Sequence, residues 1–399
     1  MNAIYPNRIV LHVAGLDRPG ITARLTELLA EENAHLIDIG QSVLHGYLML
    51  SAIVDIPPSS NALRKILFAV AELGLRLDVS ALPAQEAPTT AAPGLCLTVL
   101  GPLANGEAPA KITRFIASRG MNIREIRSLS ENELTGLELI ADPTTPLGDG
   151  KLAELRGELL RMGMELGVDL AVQKDDIFRR SKRLVTMDVD STFVRGELID
   201  ELAGLVGCKE RVAEITARAM RGEIEFRQAL GERVRLLEGL PLARAKALAE
   251  GFELTPGAES FVRTLQSLGF RVGLVSGGFD FFVDELKSRF GLDFAFANEL
   301  EVKDGVITGR LHGAIVDSER KAQLLKDMAK VYKLRPEQTV AVGDGANDVL
   351  MLQTAGLGIA FRAKPKLQEV AHMSLNYNER LDTLLFLMGY SARDLRALS

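Results

Sequence analysis

The chain has 399 residues, of which 47% are apolar and 25% charged, and its formal net charge is −6. This composition is typical of a globular protein of about two to four domains, and the acidic excess argues against a general affinity for nucleic acid. No apolar run approaches the roughly 20 residues that a membrane span needs, and the start of the chain lacks a secretory signal pattern. Cys96 and Cys208 show no metal-binding or redox spacing, so we expect a protein of the reducing cytoplasm.

Residues 1–82 alternate strand-like and helical patterns. The predicted strands are Arg8–Ala14, Asn33–Gly40, Tyr47–Asp55 and Leu75–Ser80, and the predicted helices are Ile21–Ala30 and Asn61–Leu73. Apolar residues recur at helical spacing in the helices, and the strands are rich in Ile, Leu and Val. The order βαββαβ predicts a small ferredoxin-like domain.

The same order repeats after a linker. Residues 83–94 contain three prolines and no large apolar side chain, a composition typical of a connecting segment. Residues 95–174 then give predicted strands at Leu95–Leu100, Asn122–Ser130, Glu133–Ala141 and Asp169–Lys174, with helices at Ala110–Ser118 and Lys151–Met164. Two similar units in succession indicate an internal duplication.

Residues 175–399 predict a larger α/β domain. Short apolar strands alternate with helices, which predicts a parallel sheet covered on both faces. The predicted strands lie at 184–187, Phe270–Val275, Phe294–Glu301, Val306–His312, Gln338–Val342 and Leu357–Phe361, and short helices follow to Leu398. Residues 196–252 carry four helical patterns and no strand pattern, so we expect a helical insert there.

Polar side chains follow three of these strands. Asp188 and Asp190 end the first strand, Ser276 ends the second, and Gly343–Asp348 contains three polar residues after the fifth. The carboxyl ends of parallel strands are where active sites of such sheets lie. Side chains at i and i+2 share one face of an extended strand, so both acids of the first pair could address one cation.

The residue types at these strand ends suit phosphate chemistry. Magnesium prefers oxygen ligands, and a lysine and a hydroxyl suit a phosphoryl group. A carboxylate can also accept a phosphoryl group covalently. Because the sequence offers no histidine or cysteine cluster, a zinc site is not indicated.

In combination, these segments resemble the four motifs of the haloacid dehalogenase superfamily. The matching segments are Asp188-Val189-Asp190-Ser191-Thr192, Ser276-Gly277-Gly278, Lys321 and Gly343-Asp344-Gly345-Ala346-Asn347-Asp348. The resemblance covers residues 182–390 and implies a Rossmann-like parallel sheet with a helical cap. One departure is Met187, which stands where phenylalanine is common in the family and should alter packing only.

The resemblance implies roles for the motif residues. Asp188 would attack phosphorus to form an aspartyl phosphate, and Asp190 would act as general acid and then general base. Magnesium would be held by Asp188, the main-chain carbonyl of Asp190, and Asp344, with Asp348 in support. The phosphoryl oxygens would be contacted by Ser276, Gly277, Lys321 and Asn347.

Within that superfamily the chain is most similar to the phosphoserine phosphatases. The similarity is carried by four residues of the helical insert, Glu197, Met220, Phe226 and Arg233, and by the segment Ser276-Gly277-Gly278-Phe279. Arg233 would pair with the carboxylate of O-phospho-L-serine and Glu197 with its ammonium group. Met220 and Phe226 would form an apolar lid. The implied reaction yields L-serine and phosphate, the last step of serine biosynthesis.

The two amino-terminal modules resemble ACT domains, which bind amino acids. The turn Gly15-Leu16-Asp17-Arg18-Pro19-Gly20 looks like the family's ligand loop, since backbone N–H groups near Gly20 suit a carboxylate and Asp17 an ammonium group. The second module has no matching Asp-Arg-Pro-Gly turn. By analogy, we expect serine to act as an effector and the ACT domains to form a homodimer.

Two alternatives stay open at this point. The same phosphoaspartate chemistry would serve another small phosphomonoester, such as phosphohomoserine. A different class of protein, an amino-acid sensor with an inactive phosphatase domain, would keep the fold without turnover. The intact acids and Lys321 argue against the sensor.

Overall fold

The computed structural model describes residues 8–82, 94–131, 135–145, 148–368 and 371–398, apart from the side chains of Asp149, Met220, Pro365 and Lys366. The chain divides into two compact units, residues 1–90 and 91–399. Nearly all of the linker predicted at 83–94 lies outside the described residues.

The first unit has the predicted βαββαβ order. Its elements are β1 (Arg8–Leu16), α1 (Ile21–Glu31), β2 (His35–Leu44), β3 (Tyr47–Asp55), α2 (Ala62–Glu72) and β4 (Arg76–Ala81). The strands form an antiparallel sheet in the order β2-β3-β1-β4. Leu25 and Leu28 of α1 and Ile66 of α2 pack on alternate residues of β1 and β3, such as Leu11 and Leu50. The apolar spacing of both helices therefore faces one side of the sheet, and every residue of β2 is exposed.

The second unit begins with the same arrangement. Its elements are β5 (Gly94–Leu100), α3 (Glu107–Ser118), β6 (Met121–Ser128), β7 (Gly136–Pro143), α4 (Asp149–Leu166) and β8 (Asp169–Asp175). Helices α3 and α4 cover one face through residues such as Ile112 and Leu159. Unlike β1, β5 is buried along its whole length, because its second face is also covered.

A Rossmann-like domain follows. It opens with β9 (Leu184–Met187) and four helices, α5 (Leu198–Leu205), α6 (Lys209–Met220), α7 (Phe226–Arg235) and α8 (Leu242–Glu250). It continues with α9 (Ala258–Ser267), β10 (Arg271–Phe279), α10 (Asp280–Phe290), β11 (Phe294–Lys303), β12 (Val306–His312), α11 (Ser318–Val331), β13 (Thr339–Gly343), α12 (Val349–Thr354) and β14 (Leu357–Phe361). The chain ends with α13 (Pro365–Gln368), β15 (Met373–Leu375), α14 (Leu384–Leu387) and α15 (Ala392–Arg396). Strands β11, β10, β9, β13, β14 and β15 run parallel in that spatial order, which confirms the predicted fold class.

The four helices α5–α8 form a cap at the carboxyl end of β9. The chain enters and leaves the cap through a short antiparallel bridge between Val194 and Leu254, and the N–H of Arg195 donates to the carbonyl of Glu253. A second bridge joins Pro241 to Val306 at the start of β12. The helical insert predicted at 196–252 is therefore fastened to the sheet domain at two places.

The two sheets of the second unit are continuous, which we did not predict. Strand β8 lies antiparallel to β15, so eleven strands form one sheet in the order β12-β11-β10-β9-β13-β14-β15-β8-β5-β7-β6. We had predicted only short helices after Phe361, because the three-residue strand β15 is too short to leave a pattern. The domain boundary that we place between the second module and the larger domain, at residues 174 and 175, stays a prediction.

The carboxyl-terminal segment covers the second face of the ACT-like sheet. Leu100, Leu129 and Ala171 belong to the same apolar cluster as residues of the segment, among them Leu384 and Met388. The carbonyls of Leu387 and Gly389 accept hydrogen bonds from Gln173 and Arg127, respectively, across this junction. No helix within the described ranges is long and apolar enough to span a membrane.

Candidate active site

The acidic pair lies where β9 ends. Strand β9 is buried between β10 and β13, and the N–H of Asp188 continues the pairing by donating to the carbonyl of Val342. The chain then turns, because Ser191 has a left-handed φ of 57°. This turn points the carboxylate of Asp190 toward the cap, where Oδ1 accepts the N–H of Leu198 at 2.8 Å.

Lys321 lies beneath Asp188 and is fully buried. Its Nζ is 2.8 Å from Oδ1 of Asp188 and 2.8 Å from Oδ1 of Asp348. Helix α11 holds the lysine there, and Asp317 caps that helix by accepting the N–H of Arg320. Burial lowers the pKa of Lys321, but the two carboxylates outweigh it and the net shift is upward. The lysine is therefore a fixed positive charge.

The glycine-rich loop after β13 completes the acidic cluster. Carboxylate oxygens of Asp188, Asp344 and Asp348 lie within 4.8 Å of one another. Oδ2 of Asp348 also accepts the N–H of Gly345 at 3.1 Å. A Cβ at Gly343 would lie 2.4 Å from the Asp348 carboxyl carbon, so this position has no room for a side chain.

The acid cluster carries more negative charge than Lys321 neutralises. Burial, and then the charge of Asp348, raise the pKa of Asp344 to about 7, and the same two causes raise that of Asp188 well above its usual range. Buried carboxylates in excess of their cations call for a bound cation, and oxygen donors suit a hard divalent ion. The residues present therefore fit a magnesium site.

The carboxylate of Asp190 is not a member of this cluster, although the spacing of the pair would have allowed both carboxylates to address one cation. The strand ends at Met187, so the alternation rule for extended chains does not apply at Asp190. Instead, Ser276 Oγ donates to Oδ2 of Asp190 at 3.4 Å. Burial, followed by the charge of Glu197, raises the pKa of Asp190 to about 6. This value suits a group that gives and takes a proton near neutrality.

Strand β10 does not end at Val275 as predicted but continues irregularly to Phe279. Within this stretch the N–H of Gly278 donates to Ser276 Oγ at 2.8 Å. A Cβ at Gly278 would lie 2.9 Å from Oδ2 of Asp190, so glycine allows the loop to approach that acid.

A cavity of about 910 Å³ separates these residues from the cap. Its walls combine the acid pair with cap residues and with loops from β10 and β13, and they include Asp188, Asp190, Glu197, Phe226, Arg233, Gly277, Asp344 and Asn347. Ser276, Lys321 and Asp348 lie beneath its surface. The structure thus brings the predicted catalytic, metal-binding and substrate-binding residues together; of these, only the side chain of Met220 lies outside the described part.

The cap presents opposite charges to the cavity. Arg233 Nη1 is 3.5 Å from Thr216 Oγ1, and its Nε is buried without a hydrogen-bond partner among the described residues. Burial lowers the pKa of Arg233, although Glu197 and two aspartates raise it. A buried guanidinium donor without a partner is suited to bind an anionic group that enters the cavity.

Two features of the site left no motif in the sequence. Asn298 of β11 is 1% exposed and contacts the Gly277 loop. Arg227 of the cap forms an ion pair with Asp317 at the start of α11, 2.5 Å between Nη2 and Oδ2, and so joins the cap to the sheet domain. For Asn298, the only signal in the sequence was a polar residue after an apolar run. The contact between Arg227 and Asp317 gave no signal, because the two residues are 90 positions apart.

The predicted effector loop lies in the first unit, between β1 and α1. Gly20 precedes α1 with a left-handed φ of 93°, and no atom would contact a Cβ placed there. The N–H of Asp17 donates to the carbonyl of Gly46. In the second unit, Gly106 precedes α3 with a φ of 74°, so the turn geometry recurs without the acid.

Comparison with known proteins identifies the same three domains. Residues 185–353 match the haloacid dehalogenase-like hydrolase family, and residues 7–80 and 95–173 each match an ACT domain family. The chain is 43% identical to phosphoserine phosphatase SerB2 of Mycobacterium tuberculosis, covering 98% of this chain and 95% of the relative. It is 42% identical to a phosphoserine phosphatase of Streptomyces coelicolor, covering 98% and 94%.

A solved structure supports the assignment. A probable phosphoserine phosphatase from Vibrio cholerae superposes with a TM-score of 0.59 at 32% identity, over 78% of this chain and 92% of that one. A haloacid dehalogenase family hydrolase from Salmonella enterica superposes with a TM-score of 0.65 at 28% identity, over 74% and 98%. The chain therefore belongs to the phosphoserine phosphatase family of haloacid dehalogenase-like hydrolases, with two ACT domains in front of the hydrolase domain.

Proposed function

We propose that this protein is a magnesium-dependent phosphatase that hydrolyses O-phospho-L-serine to L-serine and phosphate. The observation that carries the proposal is one cavity with Asp188 and Lys321 at its base and Glu197 and Arg233 on its cap side. Such a cavity offers a nucleophile for phosphorus and opposite charges for an amino acid. The names of the relatives support the same substrate.

Asp188 is the nucleophile of this proposal. Its Oδ1 accepts hydrogen bonds from Lys321 and from the N–H of Val189, so we assign the attack to Oδ2. The Oδ2–phosphorus bond forms while the bond to the serine oxygen breaks, giving an aspartyl phosphate. Lys321 Nζ beside the attacking carboxylate and the N–H of Gly277 at the cavity wall stabilise the charge on the phosphoryl oxygens.

Asp190 transfers the protons. Its raised pKa of about 6 leaves part of the population protonated near neutral pH, and this proton passes to the leaving serine oxygen. The resulting carboxylate then takes a proton from the water that hydrolyses the aspartyl phosphate. Ser276 and the N–H of Leu198 hold the carboxyl group in place for both steps.

Asp188, the main-chain carbonyl of Asp190, and Asp344 would hold the magnesium ion. When bound, the ion supplies positive charge next to the phosphoryl oxygens. Asp348 acts in support, because its oxygens already accept from Lys321 and from Gly345. Thr192 Oγ1, 3.5 Å from Oδ1 of Asp344, orients that carboxylate.

The cap selects the amino acid. Arg233 pairs its Nε, which has no hydrogen-bond partner among the described residues, with the substrate carboxylate, and Glu197 receives the ammonium group. Phe226 covers the site while it reacts. The contact between Arg227 and Asp317 keeps the cap against the sheet domain.

The ACT domains sense amino acids in this proposal. Serine binding near Asp17 and Gly20 would lower turnover, and the exposed apolar residues of the first sheet, such as Leu44 and Met49, would join two copies into a homodimer. Both cysteines are free, in keeping with a cytoplasmic enzyme.

Phosphate release from phosphoserine tests the proposal. We expect turnover with Mg²⁺, its loss in EDTA, and a decrease of about 10³-fold or more in Asp188→Asn. A higher kcat/KM for phosphohomoserine or an aryl phosphate would reassign the substrate. Absence of turnover in the wild type with every phosphomonoester would favour the sensor.

A further inference from the structure

Asn298 contacts two parts of the site at once. It lies in β11, beside the irregular end of β10, and is 1% exposed. Its Nδ2 donates to the carbonyl of Gly277 at 2.8 Å, and its Oδ1 accepts the N–H of Val316 at 2.8 Å. A single buried amide therefore joins the loop after β10 to the segment that leads into α11.

The contact with Gly277 fixes one peptide group of that loop. In the peptide group between Gly277 and Gly278, the carbonyl of Gly277 accepts from Asn298, and the N–H of Gly278 donates to Ser276 Oγ. Ser276 in turn donates to Asp190. Because a peptide group is planar, holding both of its ends fixes the orientation of this unit, which follows directly on the Gly277 N–H.

The contact with Val316 fixes the start of α11. The next residue, Asp317, caps the helix through its side chain, and its carbonyl accepts the N–H of Lys321. Lys321 Nζ then reaches Asp188. The amide of Asn298 is therefore connected to Lys321, which contacts the nucleophile, through Val316 and the adjacent Asp317.

We propose that Asn298 is a positioning residue, which holds the Gly277 loop and the helix of Lys321 in a fixed relation so that both address one phosphoryl group. The inference rests on the proposed phosphatase function. An amide serves both contacts, because it donates and accepts, whereas an ionised carboxylate accepts only and an aliphatic side chain does neither. Displacement of a group at the reacting centre by about 1 Å costs up to roughly 10²-fold in rate.

Asn298→Asp is the sharpest variant, because it keeps the size and the acceptor for Val316 but sets an oxygen against the Gly277 carbonyl. Gln173→Glu is a matched control, since Gln173 is also a buried amide, 8% exposed, that donates to a backbone carbonyl, that of Leu387 at 2.9 Å. Both changes remove one buried donor. Asn298→Ala removes both contacts and serves as a second variant.

The measurements are kcat, KM and the affinity for inorganic phosphate in Mg²⁺ by calorimetry, each well below the unfolding temperature. We expect Asn298→Asp to lower kcat by roughly 10–100-fold and to weaken phosphate binding by about tenfold. Gln173→Glu should lose similar thermal stability while both quantities stay within about twofold of the wild type.

Two results overturn the inference. One is a folded Asn298→Asp or Asn298→Ala protein with kcat and phosphate affinity within about twofold of the wild type, and the other is an equal loss in Gln173→Glu. Failure of the proposed function is separate, because it shows in the wild type as no release of phosphate from phosphoserine. In that case p-nitrophenyl phosphate turnover and the calorimetry still decide the role of Asn298.

Discussion

The two ACT-like sheets share one topology but differ in what covers them. In the first unit the face opposite the helices leaves large apolar side chains open, for example Leu44 and Met49, at 61% and 47% exposure. In the second unit that face is covered by the carboxyl-terminal segment, and the edge strand β8 continues into the catalytic sheet. The duplication therefore supplied one module with a free surface and one that is part of the catalytic body.

Two truncations, one that removes the first module and one that removes both modules, should give the largest difference in solubility and activity. Removal of residues 1–82 should leave a soluble enzyme with kcat near that of the full chain. Removal of residues 1–175 exposes the edge of β15 and the apolar surface around Leu384, so we expect aggregation and loss of activity. Soluble yield, light scattering and kcat measure the difference. A soluble, active product of the longer truncation would show that the second module is dispensable.

Substitution of Glu138 should cause the next largest effect, a large loss in the free energy of unfolding of the second module. Its carboxylate is 1% exposed and lies 2.6 Å from Arg179 Nη1 and 2.9 Å from Arg127 Nη2. Glu138→Ala leaves Arg179 buried with its main partner removed, and we expect a loss of about 3 kcal/mol or more in urea unfolding. The control is Glu27→Ala, which removes an exposed ion pair with Arg24 in the first unit. An equally small change in both variants would contradict the comparison.

Acid should weaken the join between the second module and the catalytic sheet. The Nδ1 atom of His372, next to β15, accepts the N–H of Gly358, and burial lowers the pKa of this histidine to about 4. The unfolded chain binds a proton near pH 6.5 and the folded chain does not, so stability falls as pH decreases from about 6.5 to about 4.

The expected loss attributable to His372 is about 1–3 kcal/mol across that window. His372→Gln keeps an acceptor for Gly358 without titrating and should show a flatter curve. The measurement is urea unfolding of both proteins at a series of pH values. Parallel curves for wild type and variant would remove this histidine as the cause.

The smallest effect on stability should come from the open face of the first unit. Leu44→Lys places a charge on an exposed position of that face, so we expect no measurable change in unfolding or in kcat. If that face joins two copies, however, the variant should be monomeric in analytical ultracentrifugation. A wild-type monomer, or a dimer unaffected by the change, would contradict the proposed interface.

The sequence was informative where one pattern decides a local structure. Apolar runs such as Gln338–Val342 located the buried strands, and the carboxyl-end rule placed Asp188 and Asp344 at one edge. The continuous apolar run of β5 already differed from the mixed run of β1, because β5 is covered on both faces. We did not predict the covered second module from that contrast.

What escaped prediction depends on contacts between distant segments. The join of β8 to β15 needs a three-residue strand that leaves no periodic signal. The carboxylate of Asp190 lies apart from the acid cluster, because β9 ends at Met187 and the chain turns at Ser191. Residue spacing does not show where a short strand ends. Asn298 acts through two backbone groups, at Gly277 and Val316, and backbone partners have no sequence signature.

The complete burial of Lys321 has a practical consequence for chemical labelling. Acylating reagents attack only a neutral, accessible amine, and this one is enclosed and held protonated by Asp188 and Asp348. Surface lysines should react first, and Lys321 should acquire label only when its surroundings open. Mass spectrometry of that one peptide would therefore report how often the active centre comes apart in the resting enzyme.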